Sequence, residues 1–281
     1  MLSYRHGFHA GNHADVLKHV VWIALLRLLA QKEKPLWVID THAGAAQYPL
    51  DAGYAQRNRE HDDGIGRLWQ REGLPDAVAD YVASVALHNP EGRLVRYPGS
   101  PQLALQLLRP QDRLRLFELH STEQKALMEW PGCEDRRVRF VAGDGFAGLK
   151  AVLPPPSRRG VVLIDPSYET RDDYWAVVAA VVDGLQRFAT GTYVVWYPLL
   201  ARREAERLPE QLARHAGRSW LSATLAVRAQ SPDRVGLHGS GMFVFNPPWK
   251  LDAALRPALP VLSALLAQDA AAGWTLRAAD A

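Results

Sequence analysis

The chain has 281 residues, 48% of them apolar and 22% charged, with a formal net charge of +3 at pH 7. That length buries a sizeable core and that mixture is globular, which excludes a disordered or fibrous protein. Cys133 is the single cysteine, so no internal disulfide is possible, as expected in a reducing cytoplasm. The mild positive charge permits nucleic-acid binding without requiring it. The longest apolar stretch, 20–30, is broken by Arg27 and is too short to span a bilayer, so no membrane association is expected. Residues 1–19 lack the apolar core of a secretory signal.

Asn12 caps a predicted amphipathic helix over 12–32, with Asp15 in its first turn near the positive end of the helix dipole. A strand over 35–40 runs into Thr41-His42-Ala43-Gly44-Ala45. From 48 to 98 the strand–helix rhythm breaks. That stretch holds charged helical pieces over 62–71 and 75–87 and ends in the turn Tyr97-Pro98-Gly99-Ser100-Pro101. It reads as a helical insertion into a main domain formed by 1–47 and 99–281. Next come a helix over 101–108, a strand over 113–119 ending near Glu118, a helix over 121–130, and a short strand over 138–142 leading into Gly143-Asp144-Gly145-Phe146. Val161-Val162-Leu163-Ile164 reads as a buried parallel strand and stops at Asp165-Pro166-Ser167-Tyr168. A helix over 174–189, a strand over 192–197 and a basic helix over 202–216 follow. Two strands over 220–228 and 242–245, a helix over 252–266 and an alanine-rich loop over 270–272 complete the reading. Strands alternating with helices imply an α/β fold, its sheet mostly parallel and covered on both faces. The late strand pair adds an antiparallel edge.

Ligands of open α/β sheets sit at the carboxyl ends of the strands. Besides Asp165, three strand ends carry polar groups: Thr41, His42 and Gly44; Glu118; and Asp144 with Gly145. An acidic residue ending the second strand suits ribose hydroxyls, which leaves a nicotinamide enzyme or plain tight turns as alternatives. A pyrophosphate binder needs several glycines so that the backbone can approach two phosphates. The segment Thr41-His42-Ala43-Gly44-Ala45-Ala46 supplies one, and no P-loop Lys-Ser/Thr pair exists. S-adenosylmethionine has a ribose and an adenine but no phosphate, so one glycine suffices.

Asp165-Pro166 suits a particular chemistry. The exocyclic amino group of adenine is a poor nucleophile, because its lone pair is delocalised into the ring. The Asp165 carboxylate and the Pro166 carbonyl, accepting from its two hydrogens, favour the pyramidal form, whose lone pair can attack a sulfonium methyl. Asp165 can also take the released proton. Holding both partners in attack geometry contributes about 7–11 kcal/mol in the best cases. Tyr168 is expected to stack on the extruded base, worth about 1–3 kcal/mol. No metal is needed, because the cationic leaving group becomes neutral. The bland alternative is a turn after a strand, with Asp165 as a cap.

His6, His9, His13 and His19 crowd the N-terminus. Without cysteines or a zinc spacing, they read as a polar, substrate-facing segment rather than a metal site. Arg158, Arg159, Arg202, Arg203, Arg207 and Arg214 are candidate phosphate contacts. In the second group Glu204, Glu206 and Glu210 alternate with the arginines, so a solvated face fits equally well. Trp196 and Trp249 are expected in core or sheet-edge packing.

The chain resembles the class I S-adenosylmethionine-dependent methyltransferases. More closely it resembles the bacterial RlmJ-type family, which methylates N6 of an adenine in 23S ribosomal RNA. The resemblance rests on Leu2-Ser-Tyr-Arg-His-Gly-Phe-His-Ala-Gly-Asn-His-Ala-Asp-Val-Leu-Lys-His19, Asp40-Thr-His-Ala-Gly44, Tyr97-Pro-Gly-Ser-Pro101, Glu118-Leu-His120, Asp144-Gly145, Ser157-Arg-Arg-Gly160, Arg187-Phe-Ala-Thr-Gly-Thr-Tyr193, Trp196-Tyr-Pro198 and Asn246-Pro-Pro-Trp249. It implies a Rossmann-like sheet with a small helical subdomain. It further implies S-adenosylmethionine held by Lys18, His19, His42, Gly44, Ser100, Glu118, Asp144, Gly145 and Asp165, with Asp165 catalytic and Tyr4, Pro166 and Tyr168 at the target base. The implied partner is 23S ribosomal RNA, naked or partly assembled, with no obligate protein partner and no membrane. The family pattern is Asp-Pro-Pro-Tyr; Ser167 replaces its second proline, keeping the Pro166 carbonyl but losing rigidity. Methylation of DNA adenine, and a non-catalytic nucleic-acid-binding protein with a decayed site, stay open on the residues alone.

Overall fold

All five residues of Gly160–Ile164 are buried, and this strand is flanked on both sides by others. In the computed structural model, residues 5–217, 219–230 and 236–279 are described, with residue 54 by its backbone alone. In chain order the elements are α1 (His13–Ala30), β1 (Trp37–Asp40), β2 (Gln47–Pro49), α2 (Gly53–Asn58), two 3-10 turns (Glu60–Asp63 and Ile65–Arg67), α3 (Asp76–Ala86), β3 (Arg96–Pro98) and α4 (Ser100–Leu107). Then follow β4 (Arg113–Glu118), α5 (Ser121–Glu129), β5 (Val138–Ala142), α6 (Gly145–Val152), β6 (Gly160–Ile164), α7 (Arg171–Arg187) and β7 (Thr192–Leu199). The last are α8 (Arg203–His215), β8 (Trp220–Ala226), β9 (Gly239–Phe245), α9 (Leu251–Leu266) and β10 (Gly273–Ala278).

Among the described residues the main sheet has eight strands in the order β10-β8-β9-β7-β6-β1-β4-β5. β7, β6, β1, β4 and β5 run parallel, and β9, β8 and β10 antiparallel. The antiparallel portion is thus one strand larger than the sequence implies. Although Leu276 packs against the core beside α9, Gly273–Ala278 has no fully buried residue. Its backbone pairing to β8 and the Thr224–Thr275 hydroxyl contact of 2.6 Å hold it.

α1 is not amphipathic. Every residue from His13 to Leu26 is buried, because apolar side chains lie all round the helix. α3, α4 and α9 pack against it, as does β9. The Asn12 side chain caps it, accepting from Ala14 N and Asp15 N at 2.9 and 3.1 Å. The other side of the sheet buries Ile39, Phe117, Val162 and Ile164 with residues of α6, α7 and α8.

β2 and β3 pair antiparallel, Tyr48 opposite Tyr97, and enclose α2, the 3-10 turns and α3. This segment is stitched to the N-terminal end of α1. Ile65 N donates to Gly11 O at 2.9 Å, and a Cβ on Gly64 would sit 2.0 Å from that same oxygen.

Two surface expectations are corrected. The Arg159 guanidinium donates to the Leu29, Lys32 and Lys34 carbonyls, so it closes the end of α1 rather than waiting for phosphate. Trp249 is 84% exposed and packs in no core.

Truncating the centre of the parallel sheet should be costly. Leu163→Ala, at a fully buried position of β6, is expected to lose about 2–5 kcal/mol of stability, read from urea unfolding.

Candidate active site

A cavity of about 790 Å³ lies along the carboxyl ends of the parallel strands, within the range of small-molecule sites. Its walls include His42, Ala43 and Gly44 after β1, Glu118 to His120 after β4, Asp144 to Phe146 after β5, Asp165 to Ser167 after β6 and Trp196 of β7. Lys18 and Ser100 reach it from α1 and α4.

The end of the cavity beside β1, β4 and β5 is built from tightly fastened loops. The Glu118 carboxylate accepts from Gly44 N at 2.8 Å and from His120 N at 2.7 Å, so its orientation is fixed by two backbone donors. Gly44 has φ +61, and a Cβ there would meet the Tyr48 hydroxyl at 2.3 Å; only glycine suits it. A Cβ on Gly145 would fall 2.0 Å from Thr41 O, so the loops after β1 and β5 touch through backbone. Thr41 Oγ1 donates to Leu163 O at 2.9 Å. Asp144 caps α6 by accepting from Phe146 N at 2.8 Å. Phe146 meets His42 edge-on with centroids 5.0 Å apart. Burial lowers the His42 pKa although Glu118 and Asp165 oppose it, so His42 is neutral near pH 7. Carboxylates at the ends of β4 and β5, beside an apolar ring and a glycine loop, fit the ribose and adenine of S-adenosylmethionine.

The middle of the cavity is a charge chain. Lys18 Nζ donates to Asp165 Oδ2 and to Asp15 Oδ1, both at 2.8 Å. Asp15 Oδ2 accepts from His6 Nε2 at 3.0 Å and Gly11 N at 2.9 Å. Burial opposes both charges, but the pairing outweighs it: Lys18 is raised, and Asp15 is held well below the usual carboxylate range. Asp40 lies beside this chain, accepting from Ser100 Oγ at 2.6 Å and His42 N at 3.2 Å. Burial, resisted by those two bonds, pushes Asp40 up to about 7.

Lys18, His42, Gly44, Ser100, Glu118, Asp144, Gly145, Asp165 and Pro166 therefore line one cavity. Two sequence-predicted residues do not. His19 is fully buried, with Nδ1 2.7 Å from the Tyr97 hydroxyl, and burial lowers its pKa to about 3. Tyr168 is 3% exposed. Its hydroxyl donates to Trp196 O at 2.7 Å and its ring packs on Tyr174 and Trp196. It stands behind the wall, because its φ of 51 turns the chain inward there, and Trp196 is the aromatic beside Asp165 that lines the cavity. Tyr4 lies outside the described residues. The sequence reading also passed over Asp15 as a hub, Asp40, and Glu60, which accepts from His9 at 3.0 Å and Asn12 at 2.9 Å. Asp15 left a signal, three residues before Lys18 on the same helix face, and Asp40 another, as the acid that ends the strand over 35–40.

A glycine loop after β1, an acid ending β4 and a parallel β5-β4-β1-β6-β7 core beside an antiparallel strand define a class I S-adenosylmethionine-dependent methyltransferase. Residues 33–278 match the family described as "Ribosomal RNA large subunit methyltransferase D, RlmJ". Ribosomal RNA large subunit methyltransferase J of Escherichia coli (strain K12) is 47% identical over 95% of this chain and 94% of its own length. The Haemophilus influenzae protein of the same name is 44% identical over 98% of both chains. A crystal structure of a Legionella pneumophila protein superposes with a TM-score of 0.89 at 33% identity, covering 97% of this chain and 99% of that one. The chain belongs to the RlmJ family of large-subunit ribosomal RNA methyltransferases. Among the described residues, no helix is long and apolar enough to cross a membrane.

Asp40 gives the site a pH signature. A carboxyl whose pKa rises on folding from 3.8 to about 7 contributes stability that is complete below about pH 4 and lost as pH rises through 7. Asp40→Asn should remove that loss. The stability of the variant relative to the parent is expected to increase from pH 4 to pH 7 in urea unfolding.

Proposed function

We propose that this protein transfers a methyl group from S-adenosylmethionine to N6 of an adenine in 23S ribosomal RNA, in the cytoplasm. The observation that carries the reading is Asp165 beside Pro166 at the end of β6, open to the cavity, with Lys18 on Oδ2. Among the described residues no donor bonds to Oδ1, which leaves an acceptor for the substrate. Support for the RNA comes from the two relatives, whose names place them on the large ribosomal subunit. Naked or partly assembled RNA is the proposed partner, with no obligate protein.

S-adenosylmethionine supplies an electrophilic methyl group when bound. Glu118 is suited to its ribose hydroxyls, Asp144, Gly145 and Phe146 to its adenine, and His42, Gly44, Ser100 and Lys18 to the remainder of the pocket. The target base must leave its stack to reach the cavity. Its amino group then donates to Asp165 Oδ1 and the Pro166 carbonyl, which localises the lone pair on nitrogen. Lys18 donates to Asp165 Oδ2 and so fixes the orientation of the carboxylate, while Asp15 holds Lys18 from the far side. After transfer, Asp165 Oδ1 takes the proton from the methylated nitrogen. Trp196 provides an apolar wall beside these acceptors. Residues 48–98 are read as a helical subdomain inserted into the catalytic domain, forming one rim of the cavity through Asn58, Glu60 and Asp63.

Asp165→Ala should abolish methyl transfer while circular dichroism shows a folded protein; near-normal turnover would remove Asp165 from the mechanism. The parent protein, incubated with 23S ribosomal RNA or DNA and labelled S-adenosylmethionine, should yield N6-methyladenosine from the RNA alone. Glu118→Ala removes a charged acceptor worth about 1.5–3 kcal/mol. The S-adenosylmethionine dissociation constant is expected to rise at least about tenfold by calorimetry.

A further inference from the structure

Arg115 of β4 stands in direct register with Arg139 of β5. Side chains alternate along a strand, so Arg113 shares that face two residues earlier. Three guanidinium groups thus occupy one patch of the sheet. Like charges on adjacent strands are destabilising, and the electrostatics show it. Burial lowers the Arg115 pKa, Arg139 and Arg113 lower it further, and no carboxylate counters them. Among the described residues none of the three makes an ion pair. Arg113 donates to the Pro110 and Asp112 carbonyls and Arg115 to the Leu114 carbonyl. Their neighbours are treated differently: Arg109 is paired with Asp112, and Arg137 with Asp135.

The patch is accessible and shaped. Phe117, next on the same face, is covered by α6, where a Cβ on Gly148 would touch its ring at 2.2 Å. Arg113 and Arg115 are half-buried and Arg139 is exposed. The Arg115 guanidinium lies 4.3 Å from the centre of the Trp37 ring; stacking holds its plane and leaves in-plane donors for an anion. Charges on an outer strand also discourage edge-to-edge aggregation. That accounts for Arg139 but not for Arg113 and Arg115, which lie on the inner strand β4. The arginines of α8 offer no comparable patch, since glutamates alternate with them and Glu204 pairs with Arg171.

We propose that Arg113, Arg115 and Arg139 form a docking face for the phosphate backbone of the RNA substrate, outside the catalytic cavity. Along β4 the patch lies roughly 10 Å from the strand end that carries Glu118, with the arginines on the opposite face of the sheet, so an RNA that enters the cavity reaches them by running over the end of the sheet. The proposal rests on the RNA reading above.

The test compares the parent with R113Q/R115Q/R139Q and with Arg139→Gln alone, an exposed position that keeps the fold. Binding of a 23S ribosomal RNA fragment is measured over a salt series, alongside S-adenosylmethionine affinity and thermal midpoint. Each lost phosphate contact should reduce the slope of log K against log salt by about 0.7–0.9. The triple variant should bind the RNA at least about tenfold more weakly at 0.15 M salt, with S-adenosylmethionine affinity and kcat at saturating RNA unchanged. Its thermal midpoint should not fall, because repulsion has been relieved. Unchanged RNA affinity and slope in both variants would overturn the proposal, whether or not the triple variant aggregates. Failure of the parent to methylate RNA would instead overturn the function proposed above.

Discussion

A single ammonium group organises the end of the cavity under β6. Lys18 lies 6% exposed between Asp15 and Asp165, and a buried charge survives only with partners that replace its hydration. Its neighbours are arranged accordingly. α1 must be sunk into the protein to bring Lys18 under the end of β6. Asp15 must in turn be satisfied, by His6 and by Gly11 N. Lys18 is the link on which both carboxylates depend: removing it leaves Asp15 and Asp165 without their shared cation, whereas removing Asp165 still leaves Lys18 paired with Asp15. The N-terminal segment, distant in sequence from the β6 loop, is thereby part of the same electrostatic unit.

The end of the cavity beside β1, β4 and β5 follows a different logic. It contains few buried charges and many backbone contacts. Gly145 against Thr41, Gly44 against Tyr48, and Glu118 held by two backbone donors are close approaches that admit little side-chain variation. One end of the cavity is therefore set by excluded volume and the other by charge balance.

Much of this was legible in the chain. The aliphatic run of β6 forecast a central strand, and periodicity placed the parallel strands and helices around it. Polar residues at strand ends forecast the cavity, because a strand that stops in Asp-Pro or Glu-Leu-His has to stop somewhere exposed to ligand. Asn12 announced its cap through local chemistry. The failures have physical causes. β10 is short and alternates only Trp274, Leu276 and Ala278 with polar or small residues after an alanine-rich loop, too weak a signal to stand out. α1 reads as two-sided because it mixes polar and apolar residues, whereas Asp15 and Lys18 neutralise one another inside. Tyr168 was assigned to the base from its position in a motif, but a left-handed backbone turn, which periodicity does not reveal, directs the ring behind the wall. His19, next to Lys18, lies on another face of the helix and bonds to Tyr97 instead.

The contact between Gly64 and Gly11 sets how the cavity can work. No room exists there for even one methyl group, and Ile65 is hydrogen-bonded across the seam, while Glu60 ties down His9 and Asn12 nearby. The segment from β2 to β3 is consequently tied to the start of α1 as a buttress on this side rather than hinged as a door. The ordering cost of that rim is met once, during folding. With the proposed base-methylating reaction, the work of deformation then falls on the nucleic acid, whose target base must leave its stack to meet a wall already in place, so an easily unstacked loop nucleotide is favoured over one held in a duplex.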